Sequence, residues 1–150
     1  MGQWKIGRGA LGPLQPLIGS WRSEPAAEGP ASAMPCLRTF SPFGASWVRL
    51  EAVWGGDDPR QYREIAIYGK GGAALEFWSF TSDGKRSQGV LCDGTDVHPQ
   101  AVAFQAEMPA GIARMIYWPA EEGEGFYFAV ESRTKKGWNR FLRHRYRPAA

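Results

Sequence analysis

An all-β domain of about ten antiparallel strands is what this sequence predicts, and three observations predict it. Segments rich in aromatic and β-branched residues recur at intervals of roughly 10 to 16 residues from about residue 36 onward, which is strand rather than helix spacing. Between them stand Gly, Pro and Asp-Gly clusters, the residues that tight turns require. Seven Trp, eight Phe and five Tyr in 150 residues are heavy use of bulky rings, and such rings favour a half-buried pleated surface.

Taken in chain order, the apolar stretch from Leu11 to Ile18 is interrupted by two prolines, which suits a short helical turn acting as a plug. Residues 1–10 read as a flexible N-terminus of a single domain spanning 1–150. Gly19 releases the chain into a first strand at 20–24, and residues 25–35, rich in Pro, Ala, Gly and Ser, read as a loop. Further strands are centred on 36–42, 46–54, 62–69, 74–81, 86–92, 101–107, 112–118, 126–133 and 138–146. Their turns are Gly55-Gly56 with Asp57, Asp58 and Pro59; Gly69, Gly71 and Gly72; Asp83-Gly84; Asp93-Gly94; Pro109 with Gly111; and Gly123 with Gly125. In the last segment Trp138, Phe141, Leu142 and Tyr146 also fit helical spacing, and strand is the preferred reading.

Alternation gives each strand two unlike faces. Val48, Leu50, Ala52 and Trp54 oppose Trp47, Arg49 and Glu51; Ile65 and Ile67 oppose Glu64, Ala66 and Tyr68; Phe126, Phe128 and Val130 oppose Tyr127, Ala129 and Glu131. A twisted sheet of this many strands must split or close, and uniformly short loops favour an up-and-down barrel.

Composition narrows function. With 43% hydrophobic and 22% charged residues the chain is ordinary globular protein, and no run of about 18 apolar residues predicts a membrane span. Met1 to Arg8 lacks the apolar core of a signal peptide, and Ile6 stands where a myristoylation motif after Gly2 needs Ser or Thr, so a cytoplasmic protein is expected. Cys36 and Cys92 form neither a disulfide framework nor a zinc knuckle, and neither has an adjacent His or Lys that marks a nucleophile. The net charge of +3 hides an asymmetry: residues 132–150 carry seven basic residues and no acid, while the rest of the chain is net −4. Such a run reads first as a solvated strand face, and nucleic acid is not the expected partner.

Gly19-Ser20-Trp21, entering the first strand after an apolar plug, resembles the Gly-x-Trp signature of the calycins, the lipocalin and fatty-acid-binding-protein group. The resemblance implies a lipocalin-like barrel whose Trp closes one end under an arginine of the last strand, here Arg143, Arg145 or Arg147. Leu14 to Glu24 is similar to the start of nitrobindin-type bacterial proteins, whose segment reads roughly Gly-Thr-Trp-x-Gly-Glu-Gly; Ser23 and Pro25 replace the two later glycines. That likeness implies haem as a cofactor, with His144, near the C-terminal end of the barrel, as proximal ligand.

The mixed strand faces hold the candidate site. Arg49, Glu51, Glu64, Arg114, Glu131 and Arg140 alternate with apolar neighbours; turned inward they need pairing or a polar ligand, and turned outward they form cross-strand surface pairs. Tyr68, Trp78 and Trp118 are candidate cavity walls. The leading expectation is non-enzymatic binding of a small hydrophobic or amphipathic, anionic molecule, its apolar part among rings and its head on one or two arginines. Besides haem, an isomerase or hydrolase is the alternative, with Glu131 or Glu64 as base and Arg114 or Tyr68 stabilising negative charge. His98 before Pro99, and Glu121, Glu122 and Glu124 among glycines, read as loop residues rather than a metal or acid–base site. Gly69-Lys70-Gly71-Gly72-Ala73-Ala74 matches a dinucleotide fingerprint in letters only, because the motif needs a helix where Leu75 to Phe80 is strand-like.

Overall fold

The computed structural model describes residues 4–24, 35–56, 61–72 and 74–149. Gly2, the loop at 25–34 and the Asp57-Asp58-Pro59 turn lie outside the described residues. A six-residue 3-10 helix, Gly12–Leu17, is followed by ten strands: β1 (Gly19–Ser23), β2 (Cys36–Phe43), β3 (Trp47–Trp54), β4 (Tyr62–Gly71), β5 (Ala74–Thr81), β6 (Arg86–Cys92), β7 (Val102–Met108), β8 (Gly111–Pro119), β9 (Phe126–Thr134) and β10 (Gly137–Pro148). Each strand pairs antiparallel with its sequence neighbours, and β1 pairs with β10, so the sheet closes into an up-and-down barrel. Closure leaves no strand edge for other chains to extend.

The plug is 3-10 rather than α because Pro13 and Pro16 remove amide donors, and it ends at Leu17, whose carbonyl accepts the Trp21 indole N–H at 2.7 Å. Gly19, at φ 138°, makes the turn from plug into strand. Leu14 and Leu17 are fully buried beneath the barrel, and Trp21 meets Phe126 edge-on at 5.0 Å, which seals this end. The tail is tied down as far as Trp4, which exchanges two backbone hydrogen bonds with the Gln100 side chain, at 2.8 and 2.7 Å.

Pairing register assigns the faces, because residues opposite one another in a ladder share a side of the sheet. Cys36, Arg38 and Phe40 of β2 lie opposite Trp54, Ala52 and Leu50 of β3, and these point inward with Val48. In β9 the dry residues Phe126 and Phe128 also point inward. In β4 the parity is reversed: Glu64, Ala66 and Tyr68 face the lumen while Ile65 and Ile67 face out. The pairing of β10 with β9 shifts register between Arg140 and Leu142, where Phe141 is an extra residue. That bulge explains why the segment also scans as a helix: it breaks the period-two rhythm and sets two apolar residues side by side.

Candidate functional site

The lumen is filled at one end and hollow at the other. Towards the plug, Phe40, Tyr117, Phe126, Phe128 and Tyr146 interlock, with Phe126 stacked on Tyr146 at 5.1 Å and Tyr117 tilted on Phe128 at 4.7 Å. Towards the turns after β3, β5, β7 and β9, a cavity of about 450 Å³ opens. Leu50, Trp54, Tyr68, Phe77, Met115 and Phe128 supply its apolar wall, and Arg38, Glu64 and Ser79 its polar side. Met108, Arg133 and Phe141 stand at its mouth. The space equals that of about fifteen liquid water molecules, enough for a small organic molecule and not for a long one.

Arg38 dominates this wall. It is 2% exposed, yet its Nε and Nη1 have no hydrogen-bond partner among the described residues. Its guanidinium lies over the Phe128 ring at 4.2 Å, with Trp54, Tyr146 and Tyr117 rings at 5.5, 5.7 and 5.8 Å. The nearest carboxylate, Glu64, stands 4.0 Å from Nη2, beyond hydrogen-bond reach, and itself accepts a 2.6 Å bond from Ser79 Oγ. Burial works against the charge on Arg38, but Tyr117, Tyr146, Cys36 and Glu64 more than offset it, so the group holds its proton more tightly than usual. Burial also pushes the tyrosine hydroxyls up: Tyr117 to about 12, and Tyr68 and Tyr146 well above the ordinary range. The Cys36 thiol is raised by burial as well, which opposes a thiolate. At neutral pH the interior of the cavity therefore presents, among the described residues, the Arg38 cation, neutral phenols and the Glu64 carboxyl.

Of the candidate residues, Glu64, Tyr68 and His144 face inward, and Arg49, Glu51, Trp78, Arg114, Trp118, Glu131 and Arg140 face outward. Arg49 is exposed, and Glu51 binds Arg63 at 2.5 Å on the surface. Trp78 packs edge-on against Trp47 at 6.1 Å. Trp118 stacks on Tyr127 at 5.5 Å in a small outer cluster with Ala103, Ile116 and Ala129, covered by Val97 and Ala101 of the β6–β7 loop. Arg114, Glu131 and Arg140 form one network. Glu131 Oε1 accepts from Arg114 Nε at 2.9 Å, Glu131 Oε2 from Arg140 Nε at 3.0 Å, and Arg114 donates two further bonds to Asp96 at 2.9 and 3.0 Å. Those pairs tie the β6–β7 loop to the wall, and neither Glu131 nor Arg114 reaches the lumen to act there as base or anion stabiliser.

The arginines at the end of β10 lie outside too. Arg143 sits over Tyr127 at 4.3 Å, Arg147 donates to Glu24 at 2.8 Å, and Arg145 donates to the Glu122 carbonyl at 2.8 Å. Trp21 is on the inner parity, so none of them covers it. His144 is fully buried with Nδ1 3.4 Å from the Tyr146 hydroxyl, and it is not part of the cavity wall. A haem ligand must present its nitrogen to open space, so these residues do not fit haem. In the β6–β7 loop His98 Nδ1 accepts the Gln100 N–H at 3.0 Å, a bond within the loop.

Arg38 is the residue that sequence reasoning missed. Its signal was present in Cys36-Leu37-Arg38-Thr39-Phe40, where a charge shares strand parity with Cys and Phe.

What fold and site define together is a closed ten-stranded barrel with an internal, partly polar cavity at one end. No protein-family model matches the chain, and no curated protein matches it in sequence. Among the described residues no helix is long and apolar enough to cross a membrane.

Proposed function

We propose that the protein binds, without transforming, a small and partly apolar anion inside its barrel. The observation that carries this reading is the buried Arg38 guanidinium on the wall of a cavity of about 450 Å³, with two nitrogens, Nε and Nη1, that have no hydrogen-bond partner among the described residues. Leaving a charged donor unpaired in an apolar interior costs about 1–3 kcal/mol or more, and a carboxylate in the cavity that takes Nη2 together with either Nε or Nη1 lowers that cost. The rings of Trp54, Tyr68, Phe77 and Phe128 then take the apolar part. The closed barrel, the proline-broken plug and Trp21 at the sealed end support the calycin likeness.

Titration calorimetry with phenylacetate, 4-phenylbutyrate and octanoate tests it. At least one of these binds one-to-one to the wild type, and Arg38→Met weakens that binding by about ten- to a hundredfold, the worth of a charge-assisted pair. Binding of equal strength to the variant, or no binding of any of the three acids, contradicts the reading.

A further inference from the structure

Reversed parity in β4 leaves an apolar surface on the outside of the barrel that lumen binding does not use. Outer residues of β3 to β6 form a lattice fixed by the pairing register. One row reads Glu51, Ile65, Phe80, Arg86; the next reads Arg49, Ile67, Trp78, Gln88; the third reads Trp47, Gly69, Glu76, Val90. The middle columns of the first two rows are hydrophobic, the third row is flanked by Trp47 and Val90, and Trp47, Ile65, Phe80 and Val90 are 37%, 38%, 56% and 42% exposed. Single exposed apolar side chains are ordinary, but Ile65 pairs with Phe80, Ile67 pairs with Trp78, and the Trp47 ring meets Trp78 at 6.1 Å, so these make one patch, with Val90 at its edge beyond Glu76. It is also shaped flat: Gly69 has no side chain because the Trp47 ring lies where its Cβ would be, 2.1 Å from that position.

We propose that this face is the interface of a homodimer, two copies packing sheet on sheet about a two-fold axis that runs along the strands between β4 and β5. The charges choose this occupant and this axis. Such a rotation lays β3 of one protomer over β6 of its partner, and β4 over β5. Glu51 then faces Arg86 of the partner twice over, Ile65 faces Phe80, Ile67 faces Trp78, and Trp47 faces Val90. Large apolar side chains meet apolar ones and Glu51 meets a base, while Glu76, which accepts from Gln88 of its own protomer at 3.0 Å, comes over the partner's Gly69, where there is no side chain. Within one protomer Arg86 and Arg49 are exposed and make no ion pair among the described residues, while Glu51 uses only Oε2 towards Arg63. Arg49 faces the partner's Gln88, one row from Glu76. A two-fold axis across the strands through the middle row instead sets Glu51 over the partner's Trp47, Arg49 over its own copy and Arg86 over Val90, so the first axis is the self-complementary one. Aligned sheets pack about 10 Å apart in this manner. Because the contact is on the barrel wall, the mouth at Met108 and Phe141 stays open.

Sedimentation velocity on the full chain decides it, with circular dichroism confirming that each variant is folded. The wild type sediments as a dimer, and Phe80→Glu, at a position more than half exposed, sediments as a monomer. Glu51→Arg and Arg86→Glu each weaken the dimer by at least about tenfold, since like charges then face one another. Combining them restores the wild-type constant to within about threefold. A monomeric wild type overturns the proposal, as does a dimer indifferent to Phe80→Glu. Single reversals that are not rescued by the double variant overturn it too.

Discussion

Two arginines of this barrel are equally buried and differently used. Arg38 and Arg114 are each 2% exposed, and each lies against a ring. Arg114, on the outer wall, spends its donors on Glu131, Asp96 and the Asp93 carbonyl. Arg38, in the lumen, has Nε and Nη1 without an acceptor among the described residues. Saturated buried charge holds parts of a fold together; unsaturated buried charge beside a cavity is held in readiness for something else. The contrast separates a structural network, which sequence alternation also nominates as a site, from the group that has a ligand's worth of bonding left over.

The largest effect is expected where the saturated network is broken. Glu131→Ala leaves Arg114 and Arg140 without the carboxylate that joins them, and the folding free energy falls by about 3–5 kcal/mol in a denaturant titration. Arg38→Met removes a cation that no protein group pairs closely. Folding is unchanged or improved by up to about 4 kcal/mol, while stabilisation by 4-phenylbutyrate disappears. If Arg38→Met is instead as damaging as Glu131→Ala, the two arginines do the same job and the contrast fails.

A smaller effect sharpens the outer half of the comparison. The hydrogen bonds from Arg114 hold the Asp96 carboxyl below its ordinary value. An unfolded Asp titrates near about 3.9, so the stability this pair contributes is complete above that pH and is lost as pH falls through the lowered folded value. The Asp96 side chain is 56% exposed, so solvent screening limits the whole contribution to about 1 kcal/mol or less. Asp96→Asn should flatten the acid limb of a stability-against-pH curve and leave the curve near neutrality almost where it was.

All ten strands were legible because turn chemistry and period-two alternation act locally, and the residues that make them sit next to one another in the chain. Even the 3-10 plug followed from two prolines. Facing was not legible, since a strand such as Tyr62–Gly71 offers two plausible faces and only its neighbours decide between them. There the isoleucines were displaced outward, because Glu64, Ala66 and Tyr68 line up with Thr81, Ser79 and Phe77 on the lumen side. The Arg114–Glu131–Arg140 set was recognisable as a cluster but not as an external one, for its partner Asp96 comes from a loop whose path no periodicity describes. Arg38 was visible as a charge among apolar strand residues, and its lack of a partner is a property of three-dimensional packing alone.

The most direct test is to watch the two Nε–H groups side by side in proton–nitrogen spectra during titration with 4-phenylbutyrate. The Arg38 signal should move and saturate at one equivalent while the Arg114 signal, already bonded to Glu131, stays in place. An Arg38 signal that does not respond to an acid that binds, or an equal response from both arginines, contradicts the assignment of the lumen as the binding site.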